Sequence, residues 1–359
     1  MKAKTRSVLL VGIALGIAVI LFLNYFCGDS MRVEAWYSLD FYPVIAYIPK
    51  LLFGWIPFSI GDVLYGIMGI SLFYLFVKIF IDLFYKQYTR SLKGLLYLTI
   101  SLLFIYISFN GLWGINYYRV PVAKQLNLAV DTVLKEDHLL VLTKQIDLLN
   151  RLRDQLDVKT LDKQGSISEL EEIMITDQDF QMLAKTQVKI KQPLFLKLAS
   201  YVGVSGYFNP FTHESQVNTA MPFPSYPFTV IHELAHQMGI GFEDECNFIA
   251  FKKLKNNPNI WYRYSAYYQS VQYLLRSLYL VDKQAFEQYK LKLSPGVKED
   301  LKMEQMYWSD YTGWITDLTS LFYDQYLKHN NQLEGMARYG MVSRLIIADE
   351  KTATGSPVE

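Results

Sequence analysis

Residues 7–27, SVLLVGIALGIAVILFLNYFC, contain no charged side chain. No other stretch constrains the fold so tightly. A run this long and apolar crosses the ~30 Å hydrocarbon core as a helix. In lipid every backbone N–H and C=O must find its partner inside the segment, and a helix achieves that. Lys2, Lys4 and Arg6 precede the run. A secretory signal opens the same way, but its apolar region is shorter and ends in a small-residue cleavage site. This run ends in NYFC and reads as an uncleaved first span.

Two more spans follow, near 60–84 (IGDVLYGIMGISLFYLFVKIFIDLF) and near 94–114 (GLLYLTISLLFIYISFNGLWG). Lys78 can extend its ammonium to one interface while Asp62 lies near the other. The connection KQYTRSLK carries Lys86, Arg90 and Lys93, and the N-terminus is also basic. The positive-inside rule puts both in the cytoplasm. Three spans then place residues 116–359 outside the cell membrane. The stretch 31–57, with Pro43, Pro49 and Pro57, is also outside and is expected to lie along the interface or cap the bundle.

The expected fold is mainly α: a three-helix transmembrane region over 1–115, then a mostly helical extracytoplasmic domain over 116–359. In EDHLLVLTKQIDLLNRLRDQL (136–156), Leu139, Leu142, Ile146, Leu149 and Leu152 recur at helical spacing. Ser168 with Glu171 fits a capping box. Further helices are expected near 260–281, 313–329 and 335–349. One segment breaks the rhythm: GYFNPFTHESQVNTAMPFPSYP (206–227) holds four prolines and reads as extended chain and turns. Within it, 213–220 is a candidate edge strand able to hold an extended peptide.

A net charge of +1 argues against a nucleic-acid partner, which would ask for a basic face. The 27 Tyr, 22 Phe and 6 Trp suit interfacial belts and an aromatic core. Two cysteines, Cys27 and Cys246, make no disulfide framework.

The chemistry is concentrated in HELAH, residues 232–236. Pro227 suits the first turn of a helix, and Gly239 an easy left-handed stop. On that helix His232 and His236 stand one turn apart on one face, so both imidazoles can reach one metal ion. Glu233 lies beside them as a general base. With five histidines in the chain, chance supplies such a pattern roughly 0.003 times. Two imidazoles and a carboxylate also suit non-haem iron, but a base built in after the first histidine favours hydrolysis and Zn2+.

A third ligand is needed. In GIGFEDECNF, Gly239 and Gly241 permit a reversal that returns Glu243, Asp244 or Glu245 to the metal. Glu243 is the preferred ligand and Glu245 the rival. Asn247, four residues after Glu243, shares its face on a following helix and is the expected polar partner of that carboxylate. His213 reads as a surface histidine, and His138 and His329 as structural. Tyr207, Tyr262, Tyr264, Arg338 and Tyr339 are possible oxyanion donors. Nothing in the sequence chooses among them.

PFSIGD (57–62), GINYYR (114–119), GYFNPFTHESQVN (206–218), HELAHQMG (232–239), EDECNFIAF (243–251), RYSAY (263–267) and YLKHN (326–330) together resemble an uncharacterised family of bacterial multi-pass membrane proteins with a zincin-type domain. The resemblance spans nearly the whole chain and implies a membrane-bound zinc metallopeptidase, with no substrate to carry over. Similarity to zincins at large implies His232 and His236 as ligands and Glu233 as base. Some zincins turn the chain with a glycine and place the third ligand this near, as histidine or aspartate. Gly239, three after His236, is similar to theirs. The family often shows alanine where this chain has Cys246.

The expected function is peptide-bond hydrolysis by a membrane-anchored zinc enzyme acting on a peptide or protein of the cell envelope. The alternative is a non-catalytic membrane scaffold or sensor with a structural or inactive metal site. HELAH lies in too short and too charged a setting for intramembrane proteolysis.

Overall fold

The computed structural model describes residues 3–176, 180–183, 185–313 and 339–353. The chain is mainly helical and divides into two compact units: residues 1–119 with 209–214, and residues 120–208 with 215–359.

Among the described residues of the first unit, three helices are long and apolar enough to cross a membrane: α1 (Ala3–Cys27), α3 (Ile60–Phe84) and α4 (Tyr88–Leu112). Helix α4 starts before the apolar run begins at Gly94, so Arg90 and Lys93 lie in its first turns. Helical geometry tolerates those charges where water still reaches them. Gly16 of α1 lets α4 approach closely; a Cβ there would lie 3.2 Å from Leu103.

The connection after α1 is helical too. Val33–Phe41 winds as a π-helix and runs into α2 (Tyr42–Phe53). The GINYYR motif explains how this segment is held. Arg119 grips Glu34 with two parallel N–H···O bonds of 2.9 and 2.5 Å. Ser38 donates to Asn116 Oδ1 at 2.9 Å, and the Tyr37 hydroxyl to the Gly111 carbonyl at 3.0 Å. A bidentate pair with both partners buried is strong because each remaining lone pair or proton has a defined direction.

PFSIGD opens α3. Ser59 caps it by accepting the Asp62 N–H, and Glu214 accepts the N–H groups of Ile60 and Gly61 at 3.3 and 2.6 Å. A carboxylate at a helix N-terminus meets donors that have no partner within the helix. His213, expected at the surface, is instead 1% exposed, with its ring 5.6 Å from that of Tyr42. Its backbone takes φ 51°, a turn conformation that aims the imidazole inward. Burial and the nearby Lys50 charge pull its pKa down to about 3, so the ring is neutral.

The second unit is built on α5 (Lys135–Gln155), where Leu142, Ile146, Leu149 and Leu152 are buried as their spacing predicts and Leu139 is half-buried. It packs with α10 (Ile260–Val281), which shares the core with α8 (Tyr226–Gln237), α9 (Glu243–Leu254) and α13 (Tyr339–Ala353); α7 (Leu196–Tyr201), α11 (Lys283–Leu291) and α12 (Pro295–Ser309) belong to the same unit. His138 is structural, its Nε2 3.0 Å from the Leu274 carbonyl. Helix α6 spans Ser166–Thr176, so Ser168 lies inside it and not at its cap. Glu171 instead accepts the Ile190 N–H at 2.7 Å, tying α6 to the sheet. The helix expected over 313–329, and with it His329, Arg338 and YLKHN, falls outside the described residues.

Among the described residues the sheet has three strands in the order β1 (Ile190–Lys191), β3 (Glu214–Val217), β2 (Gly206–Asn209). Strand β1 runs parallel to β3, with Ile190 opposite Ser215 and Lys191 opposite Gln216. The expected edge strand is thus interior. Its polar letters, ESQV, resemble an edge, yet all four residues are buried between neighbours on both sides. The β2 strand takes the edge, and the short connection to β3 leaves an antiparallel hairpin.

Candidate metal centre

Helix α8 carries HELAH, with Pro227 in its first turn, where a missing N–H has no partner to lose. Gly239 ends it at φ 87°, a left-handed conformation cheap for glycine. Ile240 donates to the Ala235 carbonyl at 3.1 Å and Gly239 to that of His236 at 3.0 Å. This is a Schellman closure. The chain reverses, and α9 starts at Glu243.

The reversal returns one acid to the two histidines. Glu243 Oε2 lies 3.1 Å from His232 Nε2, and Glu243 Oε1 3.4 Å from His236 Nε2. One atom from each of the three residues falls within 4.8 Å of the others. Tetrahedral zinc, with bonds near 2.0–2.2 Å, holds its ligand atoms about 3.3 Å apart. The donor set and its separations fit a metal of that kind.

The far side of each imidazole is also engaged. His232 Nδ1 lies 2.8 Å from Asn247 Oδ1, and His236 Nδ1 2.8 Å from the Ile240 carbonyl. An oxygen at each Nδ1 favours the N–H there and leaves both Nε2 lone pairs facing Glu243. Asn247 was expected to support the carboxylate; its oxygen supports His232. Cys246 packs its Sγ 3.3 Å from His236 Nδ1, away from the Nε2 atoms.

Without metal the cluster is strongly polarised. Burial opposes charge on His236, but the Glu243 carboxylate facing its Nε2 outweighs it and holds the imidazolium well above the usual range. Burial would raise Glu243, but His236 and His232 hold it well below the carboxylate range. Burial pushes the Cys246 thiol up to about 12, so it stays protonated. Glu233 is 4% exposed, and burial pushes its carboxyl up to about 7. Its Oε2 makes no hydrogen bond among the described residues.

Glu245 is not brought to the cluster. It is buried and accepts the Val122 N–H at 2.8 Å. Two residues beyond Glu243 on a helix is about 200° around, which turns it away. The Tyr262 and Tyr264 hydroxyls are committed to Glu169 at 2.7 Å and Asp300 at 2.5 Å. Tyr207 sits on β2.

Two neighbours of Glu233 escaped sequence reasoning. Ser215 of β3 donates to the Glu233 backbone carbonyl at 2.9 Å. Gly206 of β2 lies against the Glu233 side chain. The only sequence signal was the position of Gly206 and Ser215 in GYFNPFTHESQVN, shortly before HELAH.

No curated protein and no solved structure matches this chain. A family model does, over residues 37–347, which takes in two of the membrane-length helices, the hairpin and the His232–His236–Glu243 cluster. The chain belongs to that family, described as Protein of unknown function (DUF3810).

Proposed function

We propose that this protein is a membrane-anchored zinc metallopeptidase that hydrolyses peptide bonds outside the cytoplasm. The observation that carries the reading is the pair of Glu243 oxygens facing the Nε2 atoms of His232 and His236, with the buried Glu233 carboxylate next to them in sequence. Among the described residues three protein groups gather here. Three ligands suit a hydrolytic centre, whereas structural zinc sites use four.

A zinc ion held by His232, His236 and Glu243 would polarise a scissile carbonyl and acidify water. Glu233 takes the proton from the attacking water and passes it to the leaving amine. Burial serves that role by raising the carboxyl above the ordinary carboxylate range, which makes it a stronger base toward the water proton. Asn247 and the Ile240 carbonyl hold the imidazoles in the required tautomer.

The membrane domain in this reading is residues 1–115 and the peptidase domain 116–359. Lys86, Arg90, Lys93 and the basic N-terminus face the cytoplasm. The substrate is a peptide or protein of the cell envelope. Zinc measured in the purified protein, with peptide cleavage compared between wild type and Glu233→Gln, tests the chemistry. A variant that binds zinc and matches wild type on every substrate would leave a non-catalytic scaffold or sensor as the reading. A reporter fused after residue 115 tests the orientation; cytoplasmic activity of that reporter overturns it.

A further inference from the structure

Two strands of the sheet reach α8 at Glu233. A Cβ on Gly206 would lie 2.7 Å from both Cγ and Oε1 of Glu233 and 3.0 Å from the Gln216 carbonyl. Real Cβ atoms do not come that close, so any other residue would displace the carboxylate or the strand. From β3, the Ser215 hydroxyl donates to the Glu233 carbonyl at 2.9 Å. That carbonyl belongs to a helix, where such oxygens ordinarily accept only from within the helix. Ser215 is fully buried in the interior strand, opposite Ile190 of β1. Its hydroxyl therefore has a fixed origin.

We infer that Gly206 and Ser215 are positioning residues for Glu233, with the hairpin setting where the carboxylate stands. The inference rests on Glu233 being the base. The contacts divide the work. Ser215 fixes the helix backbone at Glu233, and Gly206 limits the side chain by close approach. Neither strand residue is among the three that gather as ligands. Metal retention and base placement are therefore separable by mutation, because the histidines and Glu243 are held by α8, α9 and the Gly239 turn.

The test uses the full-length protein in detergent, loaded with zinc. Gly206→Ala should bind zinc as wild type does, measured by competition with a chelator. It should lower kcat about 100-fold with KM unchanged, the cost of misplacing a reacting group by about 1 Å. Ser215→Ala should lower kcat about fivefold, as loss of one hydrogen bond predicts, and Ser215→Thr should restore it. Binding of acetohydroxamate, measured by calorimetry, needs no turnover: the hydroxamate chelates zinc and shares a proton with the base. Gly206→Ala should weaken that binding by the same factor as Glu233→Gln. Should wild type cleave no peptide while this match holds, the peptidase reading fails and the positioning role stands. Wild-type hydroxamate affinity in Gly206→Ala, or loss of zinc in step with affinity, overturns the inference.

Discussion

Asn247 Oδ1 sits 2.8 Å from Nδ1 of His232, one helix reaching across to orient an imidazole on another. The asparagine is 6% exposed, so water is a poor substitute for it. Asn247→Ala should lower zinc affinity about 10–100-fold, the usual range for loss of such a partner. Chelator competition reads this directly. A variant with wild-type affinity would show that His232 needs no help.

Glu243 and Glu245 separate cleanly. Glu243→Ala removes both oxygens facing the imidazoles and should abolish stoichiometric zinc binding. Glu245→Ala should keep the metal and lower stability by about 1–3 kcal/mol, since it strands the buried Val122 N–H. Metal analysis and denaturant unfolding of the two variants give opposite patterns; the reverse pattern would make Glu245 the ligand.

Glu233 links stability to pH in the metal-free protein. Its folded pKa, near 7, lies above the ordinary carboxylate value of 4.5, so the folded state holds the proton more tightly. Its contribution is fully present below about 4.5 and is lost as pH rises through about 7. Glu233→Gln should remove that decline between the two values, as urea midpoints across the range will show. In the zinc-loaded protein the metal charge pulls the carboxyl down. The acid limb of activity should therefore fall below 7.

Cys246 predicts a quiet thiol. Burial holds it protonated, at about 12, with Sγ against His236 Nδ1 and the Ile240 carbonyl. It should resist iodoacetamide in the folded protein and react on unfolding. Cys246→Ala should keep zinc and activity, because Ile240 still holds His236. Rapid labelling under native conditions would contradict this environment.

The membrane-length helices were legible because uninterrupted apolar length leaves the backbone few alternatives, and Ile60–Phe84 matches its expected limits. The two histidines and the glycine stop were legible because they depend on local geometry. What escaped depends on distant contacts. ESQV looks like an edge strand until β1 and β2, both earlier in the chain, cover it on its two sides. His213 looks like a surface histidine until its turn points it at Tyr42. Asn247 was read by its spacing from Glu243, but its side chain goes to His232 on the preceding helix. Gly206 is one glycine among 20, and only the carboxylate beside it gives it meaning.

Glu214 gives the anchor a second consequence. It groups with the membrane helices, where the Ile60 and Gly61 N–H groups donate to its two oxygens, while Ser215, the next residue, bonds to α8. A soluble fragment starting at Val120 would keep His232, His236 and Glu243. It would also inherit the Glu214 carboxylate with the Thr212 hydroxyl still bonded but without the Ile60 and Gly61 N–H groups, and a hydrogen bond to a charged group contributes about 1.5–3 kcal/mol. Cutting the chain at Val120 would therefore part Glu214 from two of its donors. Glu214 is thus held to the start of α3 by hydrogen bonds as well as by the chain.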